Sequence, residues 1–453
     1  MKPRVSLLLL AGLFSAGSLS AKEKVEPGAE PNHAVLANNA LAVDLYRQLV
    51  KENAGQNIFF SPYSILSALS MTAEGAREET ALQMGEVLGF SEDLRKAAGK
   101  LRPWNMVPVH SGIGELNGAF NDEGKKPYVL SVANAIWGER TYPFNKAFIG
   151  TINGSYGTNS LQPADFIGDP EAERKRVNDW VEKATLSKIK DLLPEGSVDI
   201  DTRMVLANAI YFKADWSSAF SEKRTSEKAF KLSSGEAAKV PMMYQRDMEG
   251  GGDAAFNGDG SFFPTKKMTD FSVRERRASY PDEHGFVMAE LPYHGGDLSM
   301  VLLVPQSASS IGELEEKLTS ENINRWLGHL EKRDIHITMP KFRSETTYNL
   351  NDTLSKMGMP AAFTDGANFD GMIEGESNAK LFIGLVMHKA FIEVNEEGTE
   401  AAAATAVVVK TESAAITEPF VPFVNADKPF LYLIRDAKSG TILFMGKIEN
   451  PAS

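Results

Sequence analysis

The chain predicts a mixed α/β fold in one large domain, and three observations carry that reading. Segments with helical apolar spacing alternate with short β-branched or aromatic runs from one end to the other. No internal repeat and no proline-rich or serine-rich linker divides the 453 residues. With 43% hydrophobic and 24% charged residues there is enough apolar surface for an extensive core, which excludes a disordered, collagen-like or multi-span membrane chain.

The N-terminus stands apart from the rest. Lys2 and Arg4 precede an apolar run from Val5 to Phe14 and a small-residue stretch from Ser15 to Ala21, the three parts of a secretory signal. That run is too short to span a bilayer. Residues 1–21 are therefore expected to be a signal peptide, 22–37 a tail and 38–453 the folded domain of a secreted or periplasmic protein.

Within the domain, Leu41, Ala42, Leu45, Tyr46 and Leu49 recur with helical spacing, so Ala34 to Val50 reads as an amphipathic helix. Ile58 to Phe60 reads as a short buried strand stopped by Pro62. Helices follow from Ser64 to Ala73 and from Glu78 to Leu88, the latter ended by Gly89. Glu171 to Leu193 reads as one charged helix with Val177, Trp180, Val181 and Ile189 as its buried stripe. Met204 to Phe212 is almost continuously apolar, as expected of a strand covered on both faces. Further strands are expected at Val287 to Leu291, Leu298 to Val304, Ile335 to Met339, Phe382 to Glu393, Phe430 to Arg435 and Thr441 to Lys447. Residues 101–116 and 248–284 lack a sustained period and read as surface insertions.

Charge and motifs narrow the function. A formal charge of −12 disfavours nucleic acid or an anionic membrane as partner. The absence of cysteine removes disulfides, thiolate catalysis and sulfur-based metal sites. No hydrolase elbow, zinc-protease helix or phosphate-binding loop occurs, and the seven histidines never pair at metal-ligand spacing. Asp253, Asn257 and Asp259 carry calcium-type oxygens, but their spacing misses the EF-hand loop. Neither an enzyme, a metal site nor a cofactor is expected.

One stretch behaves unlike its surroundings. Glu396 to Lys410 (EEGTEAAAATAVVVK) is alanine-rich and helix-favouring in its first half and β-branched in its second. With a period of two residues, Thr399, Ala401, Ala403, Thr405, Val407 and Val409 share a small, apolar face, while Glu400, Lys410 and Glu412 fall on the other. No proline lies between Gly398 and Glu418 to interrupt a ladder. Such a segment can be an exposed loop that later becomes a central strand, or a plain alanine-rich surface helix or linker. On these residues alone the two readings stand level.

Seven motifs in one order resolve the choice. They are Asn57 to Ile65 (NIFFSPYSI), Thr72 to Ala76 (TAEGA), Val177 to Lys183 (VNDWVEK), Leu206 to Trp216 (LANAIYFKADW), His388 to Ala402 (HKAFIEVNEEGTEAA), Asp427 to Arg435 (DKPFLYLIR) and Phe444 to Lys447 (FMGK). Jointly they resemble the serpins, the serine protease inhibitors, over about Asn38 to Pro451, in the guise of an exported, prokaryotic-looking member of the inhibitory type. The resemblance implies three β-sheets, about nine α-helices and an exposed reactive-centre loop at about 396–424. It also implies suicide inhibition of a target serine protease by a monomer: the loop is cut, an acyl-enzyme forms, and the loop inserts into the central sheet. A non-inhibitory chaperone or carrier is the alternative.

Roles follow residue by residue from the resemblance. Ser61, Ser64, Asn208 and His388 match the cluster that governs strand separation. Trp216, Lys341 and Glu396 match the point of first loop entry, with Lys341 and Glu396 as an ion pair. Glu396, Glu397, Gly398, Thr399, Glu400, Ala401, Ala402, Ala403 and Ala404 match the mobile hinge. The family's count from the hinge places the reactive bond between Glu412 and Ser413, in a window extending to Ile416. Glutamate would suit a Glu-selective protease, whereas Ala414 or Ala415 would suit an elastase-like or subtilisin-like one.

Overall fold

A computed structural model describes residues 32–96, 99–120, 126–263, 281, 283–375, 381–399 and 422–453. The expected signal peptide, most of the tail, Glu400 to Ala404 and the reactive-bond window lie outside the described residues. Eighteen strands are present among the described ones. The first are β1 (Ile58–Phe60), β2 (Tyr128–Glu139), β3 (Leu161–Ala164), β4 (Met204–Asp215), β5 (Ser226–Lys231), β6 (Ala237–Met248), β7 (Gly252–Phe256) and β8 (Phe262–Phe263). The remainder are β9 (Phe286–Pro292), β10 (Leu298–Pro305), β11 (Glu331–Lys332), β12 (Ile335–Pro340), β13 (Phe342–Asn349), β14 (Leu385–Val394), β15 (Gly398–Thr399), β16 (Phe423–Asn425), β17 (Phe430–Asp436) and β18 (Ile442–Ile448).

They build three sheets, as expected. One has the order β1-β18-β17-β10-β9-β7-β11 with β8 on β7, a second the order β16-β12-β6-β5, and the third the order β13-β14-β15-β4-β2-β3. Ten α-helices lie among the described residues, close to the nine expected. The third sheet positions the site. Its β4 faces two cores: Leu206, Ile210 and Phe212 enter the main core, while Val205, Ala207, Ala209 and Tyr211 enter a second core beneath the helix Pro170–Ala184. Burial on both faces explains why the sequence there is almost unbroken apolar.

Four sequence readings are corrected. The domain begins before residue 38: the first helix is His33–Glu52, and the Asn32 side chain caps it by accepting from the backbone N–H groups of Ala34 and Val35. The helix expected to reach Leu193 ends at Ala184. Leu186 and Ser187 take left-handed φ values of 52° and 60°, which no helix accommodates. Ile189, Leu192 and Leu193 remain fully buried in the second core, so their spacing imitated a helix. Residues 101–116 are not an insertion, because most of them form the helix Val107–Phe120, with Val109, Ile113 and Leu116 buried. Likewise 248–256 is no loop: a turn with Gly250 at φ 72° leads into β7, whose five residues are all buried. Asp253 is held by Arg333 and Asp259 caps Ser261, and no group of three or more potential metal ligands occurs among the described residues.

Candidate functional site: a strand seam and its hinge

Strands β14 and β4 run parallel and pair directly from Leu385 opposite Val205 to Phe391 opposite Tyr211. Beneath this seam lie the four residues expected to cluster, together with a fifth. His388 on β14 stands opposite Asn208 on β4, and Asn208 stands opposite Asn134 on β2, so three polar side chains share one row across three strands. The start of the helix Pro62–Gly75 meets that row. Ser61 is its N-cap, with Pro62 pre-set at the first helical position.

The row is fully hydrogen-bonded. The Ser61 backbone N–H donates to His388 Nε2 at 3.2 Å, which leaves the ring proton on Nδ1, directed at Asn208 Oδ1. Asn208 Nδ2 donates to Ser64 Oγ at 2.6 Å and also faces Asn134 Oδ1. Ser64 Oγ donates to Asn134 Oδ1 at 2.9 Å, and Asn134 Nδ2 to the Ser64 carbonyl at 3.1 Å. Ser61 Oγ accepts from the Ser64 N–H and donates to the Leu443 carbonyl at 2.7 Å, which ties the seam to β18. His388 is completely buried, and burial pushes its pKa down to about 3, so it is neutral at physiological pH. Asn134 escaped the sequence reading because Ser131 and Asn134 interrupt the apolar alternation of β2, and only strand register brings it to Asn208.

At one end of the seam β15 lies between the two strands. Gly398 pairs with Asp215, and Thr399 pairs with both Ala214 and Val394, all antiparallel. The glycine is required, since a Cβ there would stand 2.1 Å from the Ala214 carbonyl oxygen. Behind it, Glu396 and Lys341 form the expected ion pair at 2.8 Å, and Glu396 Oε1 accepts from Thr225 Oγ1 at 2.7 Å. Burial alone would raise the Glu396 pKa, but the hydrogen bonds from Lys341 and Thr225 outweigh it and hold the carboxyl below its usual range. Trp216 grips the same turn through Nε1, which donates to the Asn395 carbonyl at 3.0 Å, and through its backbone N–H to the Glu397 carbonyl at 2.8 Å. Tyr293, absent from the sequence reading, stacks on Trp216 at 4.6 Å and meets Thr399 Oγ1 through its hydroxyl at 2.7 Å.

The chain resumes at Pro422 and passes into β16, which pairs in parallel with β12 in a different sheet. Residues 400–421 therefore connect a strand started in one sheet to a strand of another. The last described residues before that connection, Gly398 and Thr399, are thus paired to the two strands of the seam.

The chain belongs to the serpin family: the model described as Serpin (serine protease inhibitor) matches residues 36–451. It is 37% identical over 421 residues to the Leukocyte elastase inhibitor of Sus scrofa, covering 92% of this chain and 98% of the other. Among solved structures it is similar to uncleaved ovalbumin, with TM-score 0.71 and 27% identity over 92% of this chain and 100% of that one. It is also similar to human Thyroxine-binding globulin complexed with its ligand, with TM-score 0.73 and 27% identity over 93% and 99%. These relatives give no support to the expectation of a prokaryotic-looking member.

Proposed function

We propose that the protein is an irreversible suicide-substrate inhibitor of serine proteases, and by the same chemistry of cysteine proteases. The protease nucleophile attacks the Glu412 carbonyl carbon, the peptide bond breaks, and the Ser413 amine leaves with the proton. The acyl-enzyme is then carried away as the cut segment enters the seam between β14 and β4. Fourteen residues from Thr399 to Glu412 extend about 46 Å as a strand at about 3.3 Å each. About ten new ladder bonds, each worth about 1 kcal/mol net, favour the move by on the order of 10 kcal/mol before apolar burial.

The observation that carries this reading is β15: two residues already paired to both seam strands, followed by a segment whose small apolar face can continue the ladder. In this reading Ser61, Ser64, Asn134, Asn208 and His388 keep the seam closed, and Trp216, Lys341 and Glu396 hold the entry point. Glu396 to Ala404 form the hinge. The signal-like residues 1–21 support export to a secreted or periplasmic location, and the inhibitor acts as a monomer without cofactor, nucleic acid or membrane. No helix among the described residues is long and apolar enough to cross a membrane.

Incubation with a panel of serine proteases tests it. A covalent complex stable in SDS, with a released peptide beginning at Ser413 or within the window to Ile416, is the expected result. Release of every protease active, with the loop cut, overturns it. The likeness to Thyroxine-binding globulin favours a carrier role as the second reading. A carrier unable to insert its loop would gain no thermal stability on cleavage.

A further inference from the structure

We infer that the outer edge of β13 is a docking site for an extended, hydroxyl-rich peptide of another protein, anchored by one carboxylate. The inference does not depend on the inhibitory reading. β13 pairs with β14 on one side, antiparallel from Phe342 opposite Val394 to Asn349 opposite Met387, and with no strand on the other side among the described residues. Alternate residues of an edge strand turn their N–H and C=O groups away from the sheet, so this edge offers a row of backbone donors and acceptors to a newcomer.

The surroundings select the guest. A trench of about 680 Å³ runs along residues 343–348, and residues 53–57 with Asn450 and Ser453 form its opposite wall. Six residues of extended chain span about 20 Å. A single strand can lie in such a channel, whereas the far wall obstructs the broad edge of another sheet. Side-chain chemistry then differs between the two faces of β13. Ser344 is buried and the Thr346 hydroxyl donates to the Phe59 carbonyl at 2.5 Å, so guest side chains on that face must be small. On the other face Arg343, Glu345 and Thr347 are exposed. Glu345 is already shared by two cations, Arg343 at 3.2 Å and Lys389 at 3.0 Å, which leaves these three groups one positive charge in excess. Arg343 is moreover held over the Phe391 ring at 5.0 Å. Directly opposite side chains of an antiparallel pair share a face, where opposite charges attract and threonines hydrogen-bond to one another. The matching guest therefore runs antiparallel to β13, the more stable pairing per residue, with an acidic residue opposite Arg343 and threonines opposite Glu345 and Thr347.

The test titrates the full-length protein into the labelled, end-capped peptide Thr-Ser-Thr-Ser-Glu-Thr and follows fluorescence anisotropy. Saturable binding with a dissociation constant below about 1 mM is expected. Arg343→Glu, a change at an exposed side chain, should weaken that binding about fivefold and instead favour the peptide with lysine in place of glutamate. Methylating the amide nitrogens of the peptide's four central residues keeps its charge but removes its ladder donors, and should abolish binding. Four results overturn the inference: no saturation up to several millimolar, no reversal of preference in Arg343→Glu, undiminished binding of the methylated peptide, or a dimer of the parent that Arg343→Glu dissolves. The third would mean charge attraction without a ladder, and the fourth that a second copy of this chain holds the edge.

Discussion

At the scale of single residues, His388 is the most exposed to a change of conditions. Its neutral ring accepts from Ser61 and donates to Asn208, so a second proton on Nε2 would confront the Ser61 N–H. The folded pKa lies near 3, well below the ordinary 6.5, so when pH falls the unfolded chain binds the proton first. The stability that neutral His388 contributes is complete above about pH 6.5 and is lost progressively down to about pH 3. Between pH 6.5 and 5, above the range in which carboxylates titrate, the loss should reach about 2 kcal/mol at about 1.4 kcal/mol per unit. Denaturant midpoints of the parent and of His388→Gln across that interval check it; only the parent should show this slope. Gly398 gives a second prediction. Gly398→Ala places a Cβ against the Ala214 carbonyl, so β15 cannot form, and limited proteolysis should cut residues 400–421 several-fold faster than in the parent.

At the scale of elements, what was legible in the sequence depended on whether local pattern and tertiary contact agreed. The strand β4 was readable because both its faces are buried, whereas the two-residue period after Gly398 left an inserting loop and a surface helix or linker level, and the hinge assignment came from the family resemblance. The Lys341 and Glu396 pair and the Ser61, Ser64, Asn208 and His388 cluster came from family motifs, and the geometry brings each set together. Asn134 and Tyr293 carry no local signal, since their partners are 74 and 106 residues away in sequence. The overlong helix after Ala184 failed because buried residues on an irregular segment can fall at helical spacing by accident. Register also yields a prediction for the element that is to form. Continuing the antiparallel pairing of Thr399 with Val394 and Ala214 would bring Ala403 between Ala390 and Ile210, both completely buried. Ala403→Arg should therefore be cut at a normal rate but fail to insert, leaving the protease active in an inhibition assay.

At the scale of the whole molecule, the chain has no cysteine, so the three sheets and ten α-helices among the described residues are held without disulfides. In the proposed mechanism, the direct pairing of β14 with β4 is what the cut segment would replace. Cutting within 412–416 should raise the thermal midpoint by on the order of ten degrees, given on the order of 10 kcal/mol of added ladder. A melt of the protein before and after nicking by a non-target protease measures it.

The same register has one more consequence, at the row of His388, Asn208 and Asn134. Counting inward from Thr399, the residue that would arrive opposite both His388 and Asn208 is Thr405, which stands on a face otherwise made of alanine and valine after the hinge. An incoming strand must sever the link between that imidazole and that amide. It would bring a replacement with it, a hydroxyl able to accept from one and donate to the other. Thr405→Val should then be cut as readily as the parent yet end less stable after cutting, because imidazole and amide would be driven asunder in a dry interior with no new companion for either.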